Sequence, residues 1–247
     1  MSQDIWTECG GASRLGELRL APWRVVEAQH INSTRKLVDS DAEQALLESL
    51  IDGVKPRTLA SGLHYLLATP FRYPPLRHGS RFGTPEEPGI WYGAKKVGTA
   101  LAELAYYRLL FLEGSRAALG PLTSQHSVFQ AQVGTPRGLD LTRPEPPDIA
   151  SPTSYAASQA LGGSMRAAGV EAFVYRSARD PAGGAGVALF VPCFTRRTPS
   201  VSRAWVCVAT REVIELKRAD LRTRERHRFE REIFEVEGRL PAPGVGR

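Results

Sequence analysis

The runs Val170-Glu171-Ala172-Phe173-Val174-Tyr175, Val187-Ala188-Leu189-Phe190-Val191-Pro192-Cys193-Phe194, Ala204-Trp205-Val206-Cys207-Val208-Ala209 and Glu212-Val213-Ile214-Glu215-Leu216 decide the fold class. Each is short, rich in β-branched or aromatic residues and bounded by Gly, Pro or Asp, the pattern of a strand. Helical patterns lie mostly earlier. Residues 40–53 carry a capping box of Ser40 and Glu43, an apolar stripe of Leu46, Leu47, Leu50 and Ile51, and a closing Gly53. Residues 59–68 predict a second helix, stopped before Pro70. Residues 99–113 predict a longer one, with Thr99 as N-cap, Leu101, Leu104, Ala105, Arg108 and Leu112 on one face, and Gly114 at its end. Helices early and strands late argue for α+β rather than a βαβ repeat.

The intervening stretches are punctuated by turn formers. Residues 1–20 are Gly-rich and weakly patterned, which predicts a loose or lightly docked tail. Residues 70–90 hold Pro70, Pro74, Pro75, Gly79, Gly83, Pro85, Pro88 and Gly89, a loop signature, and residues 90–94 form a short strand pattern. Strands are predicted at 127–133 and 139–142 around a turn at 134–138. A linker follows at 144–152, and then a helix with Ser151 as its cap and Pro152 in its first turn, ending at Gly169. No internal repeat or clear second domain is visible.

Composition narrows the function classes. Of 247 residues, 42% are hydrophobic and 23% charged, enough for a sizeable core. No apolar run approaches the roughly 18–20 residues that span a bilayer, so no membrane role is expected. Met1-Ser2-Gln3-Asp4 lacks the basic start and apolar stretch of a signal peptide, and the expected location is cytoplasmic. The net charge of +6 suits an anionic partner without choosing one. The densest basic run, 217–231, interleaves acids with Arg and Lys, which reads as a solvated, ion-paired face, and no nucleic-acid motif accompanies it. Cys9, Cys193 and Cys207 are odd in number and widely spaced, so they imply neither a disulfide framework nor a metal pair. Cys193 and Cys207 are expected as core thiols, and Cys9 in a mobile segment. The five histidines form no close ligand pair, and no metal is expected.

Common nucleotide and hydrolase signatures are absent. Gly93 and Gly98 have the spacing of a phosphate-binding loop, but Thr99 stands where its Lys must be. The 183–186 glycines have the wrong spacing for a dinucleotide fingerprint. Gly162-Gly163-Ser164-Met165-Arg166 lacks the final Gly of a nucleophile elbow.

A different set of blocks is present: Phe71-Arg72-Tyr73-Pro74-Pro75, Gly79-Ser80-Arg81-Phe82-Gly83, Gly89-Ile90-Trp91-Tyr92-Gly93-Ala94 and Thr99-Ala100-Leu101-Ala102-Glu103. They are followed by Tyr155-Ala156-Ala157-Ser158-Gln159 and Val174-Tyr175-Arg176-Ser177-Ala178-Arg179. In order and spacing these blocks resemble the RES family, over roughly residues 70–215. The Arg, Glu and Ser that name the family fall on Arg81, Glu103 and Ser177, with Tyr92 between the first two. The sequence departs from the family where Gly83 and Thr84 replace its usual Asn. The resemblance implies an α+β fold like that of ADP-ribosyltransferases, a β-sheet core with flanking helices. It implies residues 1–69 as an N-terminal helical extension packed on the core, and 70–247 as the RES domain. It also implies a toxin of a bacterial toxin–antitoxin pair that cleaves the nicotinamide–ribose bond of NAD+ by phosphorolysis or hydrolysis. No cofactor is then expected beyond NAD+ as substrate, with inorganic phosphate as co-substrate where cleavage is phosphorolytic. The implied partner is an Xre-type helix-turn-helix antitoxin, and DNA would be reached only through it.

These residue types suit that chemistry. Breaking the bond to nicotinamide builds oxocarbenium-like charge on the ribose, which a fixed carboxylate such as Glu103 stabilises. Arg81, in a Gly- and Pro-rich loop, is expected to grip pyrophosphate or an attacking phosphate, with Arg72 as a second anion-binding residue. Tyr92 is expected to face the substrate while Trp91 points into the core, because neighbours on a strand alternate. Ser177 is expected to bond ribose or phosphate, and Gln159 and Arg179 to touch the ligand or to support the residues that do. A protein ADP-ribosyltransferase using the same site is the nearest alternative, and a non-enzymatic DNA-binding or assembly protein is one of a different class.

Overall fold

The computed structural model describes residues 5–28, 40, 42–43, 46, 62–72, 77–117, 119–146, 148–220 and 222–243. It is a mixed α+β fold built on one large sheet. Ten strands are present among the described residues: β1 (Gly16–Leu20), β2 (Trp23–Glu27), β3 (Trp91–Ala94), β4 (Leu122–Gln130), β5 (Val133–Asp140), β6 (Ala172–Arg176), β7 (Ala185–Leu189), β8 (Val201–Ala209), β9 (Val213–Arg218) and β10 (Arg226–Glu230). They run in the order β1-β5-β6-β7-β3-β2-β4-β8-β9-β10, and every pairing is antiparallel except β5 with β6. The helices are α1 (Ile5–Glu8), α2 (Tyr65–Ala68), α3 (Val97–Gly114) and α4 (Ala156–Ala167).

The apolar runs of β6 and β7 are explained by burial on both sheet faces, whereas β8 and β9 bury alternate residues on one face. In β6, Ala172 and Val174 join a cluster with Trp91, Phe129 and Leu189, while Phe173 and Tyr175 join another with Phe82, Leu161 and Phe190. A third cluster packs α3 on the far half of the sheet, through Leu101, Ala105, Leu109 and Leu112 against Trp205, Cys207, Ile214 and Leu216.

Several expectations are corrected. The segment before residue 70 is not only helical, and its first part is neither loose nor merely lightly docked: β1 and β2 are sheet strands, and β2 sits between β3 and β4. Cys9 is accordingly buried in the core. The 40–53 helix lies largely outside the described residues, although the Glu43 N–H does donate to Ser40 Oγ at 3.2 Å. The second helix begins at Tyr65, because His64 caps it by accepting the Leu66 N–H. Helix α3 begins two residues before Thr99, with Lys96 as N-cap. Helix α4 starts at Ala156, and Ser151 instead closes a turn by accepting N–H groups of Thr153 and Ser154. Residues 134–138 are strand rather than turn. Pro136 is tolerated there because the β1–β5 register shifts between Gly16 and Leu18, opposite it.

Candidate functional site

A cavity of about 620 Å³ opens beside β3 and the first turns of α3, a size suited to a small-molecule ligand. Its walls are mostly apolar. Polar groups reach it from Arg24, His78, Ser80, Arg81, Glu103 and five tyrosines, Tyr92, Tyr106, Tyr107, Tyr155 and Tyr175. Glu103 is the one carboxylate lining it among the described residues.

Glu103 is placed by α3 and held by Ser177, one residue beyond β6. The Ser177 Oγ accepts the N–H groups of Arg179, at 3.1 Å, and Asp180, at 3.2 Å. Its single proton is thereby aimed at Glu103 Oε1, 2.5 Å away. The loop that carries Ser177 is tied back to α3 by the Thr99 hydroxyl, which donates to Asp180 Oδ2 at 2.7 Å. Thr99 is thus a tether between helix and loop, not a cap.

Arg81 is buried without a carboxylate partner among the described residues. One terminal nitrogen donates to the carbonyls of Ile149 and Ser151, and the guanidinium lies 4.9 Å from the centre of the Tyr155 ring. Tyr92 fixes the loop that carries it. The Tyr92 hydroxyl accepts the Phe82 N–H at 3.1 Å and shares a hydrogen bond with Ser80 at 2.9 Å. Burial pushes this phenol up to about 12, so it is neutral at physiological pH. Gly79 holds a φ of +69°, and a Cβ there would meet the Gly83 carbonyl, so the tight bend requires glycine.

The predicted residues separate into two groups. Arg81, Tyr92 and Glu103 line one cavity, and Ser177 bonds the last of them. Trp91, beside Tyr92, is fully buried in the opposite cluster. Gln159 and Arg72 do not line the cavity. The Gln159 side-chain amide donates to the carbonyls of His78, Ser80 and Gly83, so it anchors the Arg81 loop rather than facing a ligand. Arg72 follows a 3-10 turn, with a buried Nε that has no hydrogen-bond partner. Arg179 stacks 3.7 Å from the Tyr106 ring centre and donates to the Pro152 carbonyl.

The sequence reading missed Arg24 and the tyrosines around Glu103. Tyr155 and Tyr175 stood inside the quoted blocks without a role, and Tyr106 and Tyr107 carried no signal of their own in the helix pattern. Arg24 had no signal, because β2 was not recognised.

Elsewhere the charge pattern reads as expected. Within the basic run, Arg218 pairs with Asp220 and Glu225, Arg228 with Glu215 and Glu230, and Arg231 with Glu113 and Glu235. Among the described residues, no group of three His, Cys, Asp or Glu stands where it could hold a metal, and no helix is long and apolar enough to cross a membrane.

The RES domain family model matches residues 55–209, well over half of the sequence. The chain belongs to the RES domain family. No curated protein matches it in sequence. Among solved structures, a chain of the M. tuberculosis MbcT-MbcA toxin–antitoxin complex is similar at 15% identity and a TM-score of 0.44, over 76% of this chain and 82% of that one.

Proposed function

We propose that this RES-domain protein is a toxin that consumes NAD+ by breaking the bond between ribose C1′ and the nicotinamide nitrogen. The observation that carries the reading is Glu103: a single carboxylate on an otherwise apolar and cationic cavity, turned and fixed by Ser177. As the C–N bond breaks, its electron pair leaves with nicotinamide and positive charge develops on the ribose. A pre-oriented carboxylate in a partly dehydrated cavity stabilises that charge most where it is greatest, in the transition state. The new C1′–O bond forms with phosphate, giving ADP-ribose 1-phosphate, or with water, giving ADP-ribose and a proton. Arg81 supplies the positive charge for the substrate's pyrophosphate or the incoming phosphate.

Family membership supports an antitoxin partner, and we assign it to the Xre-type helix-turn-helix class. Tyr107 and Phe111, one turn apart on α3, are exposed, and Tyr107 also lines the cavity, so a protein seated on them would cover its mouth.

The test is nicotinamide release by purified protein, with and without phosphate, beside Glu103→Gln. The expected result is release by wild type and a loss of about two orders of magnitude or more in the variant. A requirement for phosphate identifies phosphorolysis. Retention of adenine-labelled ADP-ribose on protein would replace this reading with protein ADP-ribosylation. No nicotinamide release in either buffer would overturn it.

A further inference from the structure

Arg24, on β2, is a half-buried residue on the cavity wall, and its guanidinium has an incomplete set of partners. One terminal nitrogen donates to the Tyr92 carbonyl at 2.5 Å, and the guanidinium carbon lies 5.4 Å from the Trp91 ring centre. Its Nε is buried with no hydrogen-bond partner. No carboxylate pairs with it among the described residues. The acid on its own strand, Glu27, is engaged by Arg108 at 2.5 Å. Burial draws the Arg24 guanidinium down to about 10, with no neighbouring acid to offset it, and the group still carries its charge at physiological pH.

Buried cations are ordinarily paired, because taking a charge out of water is costly unless an opposite charge replaces the lost hydration. Arg24 departs from that rule, and so does Arg81 on the same cavity. Both spend hydrogen bonds on backbone carbonyls and keep their net charge unanswered. Two unpaired guanidiniums on a cavity of ligand size suit a multiply charged oxyanion, which a planar fork of N–H donors matches in geometry as well as charge.

We propose that Arg24 and Arg81 together form a phosphate-class anion site in this cavity, with Arg24 a ligand-binding residue contributed from outside the segment that matches the RES family. On the proposed function the anion is either the pyrophosphate of NAD+ or the attacking orthophosphate. The anion site itself does not depend on that reaction and is measurable without turnover.

The experiment is titration calorimetry of the full chain with inorganic pyrophosphate, orthophosphate and ADP-ribose, for wild type, Arg24→Met and Arg24→Lys, with a thermal melt of each. Charge-assisted hydrogen bonds predict that Arg24→Met weakens at least one of these ligands by about tenfold or more. Its melting temperature should hold or rise, since an unpaired buried charge has been removed. A purely structural arginine would instead lower it. Arg24→Lys keeps the charge and loses the fork, so it should bind between the two. Loss confined to ADP-ribose and pyrophosphate assigns the site to the dinucleotide, and loss confined to orthophosphate assigns it to the attacking anion. Unchanged affinity in Arg24→Met, or no binding of any of the three by wild type, overturns the proposal. Should Arg24→Met not fold, wild-type affinity of Arg24→Lys for all three ligands overturns it equally. Anion binding without NAD+ cleavage would leave the site standing and remove only the catalytic reading.

Discussion

Ser177 and Glu103 are 74 residues apart in sequence, yet the hydroxyl of one donates to the carboxylate of the other at 2.5 Å. Two backbone N–H groups load the remaining face of Ser177 Oγ, so the direction of its proton is set by the loop and not by solvent. Ser177 therefore acts through Glu103 as a positioning residue. Ser177→Ala should lower kcat for nicotinamide release by roughly tenfold, about 1.4 kcal/mol, with a smaller change in KM. Glu103→Gln should cost more. Steady-state kinetics of the single and double variants would check this: if the two losses simply multiply, the residues act independently and the coupling is absent.

Gln159 was expected either at the ligand or behind the residues that touch it, and it lies behind the loop that carries Arg81. Its amide reaches three carbonyls, those of His78, Ser80 and Gly83. Gln159→Ala removes donors that those carbonyls share. The expected outcome is about 1–2 kcal/mol of lost stability in urea denaturation, together with faster amide exchange across residues 78–83 and a raised KM. An unaltered denaturation midpoint combined with a raised KM would return Gln159 to the ligand.

Three buried phenols make the protein sensitive to alkali. Burial pushes Tyr92 and Tyr106 up to about 12, and Tyr175 well above its ordinary value. An unfolded phenol ionises near 10. Between these values the unfolded chain sheds protons that the folded chain keeps, so stability falls as pH rises. For Tyr92 and Tyr106 the contribution is whole below about pH 10 and is lost toward pH 12, at about 1.4 kcal/mol per pH unit for each of the two. Thermal melts should be flat with respect to these tyrosines up to about pH 9.5 and decline above pH 10. A melt that stays level to pH 11 would show that the phenols are hydrated.

The legible part of the fold was the part with continuous apolar runs or clean alternation. β6 and β7 were visible because consecutive residues such as Phe173 and Val174 are buried on opposite faces, giving continuous apolar runs, and β8 and β9 because Trp205, Cys207, Ala209, Ile214 and Leu216 alternate into a single core cluster. β10 was not legible, because its Arg226-His227-Arg228-Phe229-Glu230 places only Phe229 in the core and presents charge at a sheet edge. β5 was hidden by its own glycines: a Cβ at Gly138 would collide with Leu18 on β1, a neighbour 120 residues away that no local pattern reveals. The site divides in the same way. Arg81, Tyr92, Glu103 and Ser177 came from motif order. Arg24 needed the knowledge that β2 enters the sheet next to β3, which is a property of topology and not of local sequence.

Gly162 links the core helix to the site loop at closest approach. It lies mid-way along α4, where a glycine weakens a helix and alanine would be favoured on propensity alone. A Cβ at this position, however, would stand 2.1 Å from the Phe82 carbonyl oxygen, in the loop one residue beyond Arg81. That atom is backbone and cannot swing aside, so helix and loop must separate. Gly162→Ala should therefore destabilise the protein by about 1–3 kcal/mol despite its gain in helix propensity. It should also displace Arg81, with activity falling further than the loss of folded protein explains. Paired chemical denaturation and nicotinamide-release assays would check both parts. A stabilised Gly162→Ala with full activity would mean that the helix does not bear on the Arg81 loop at this point.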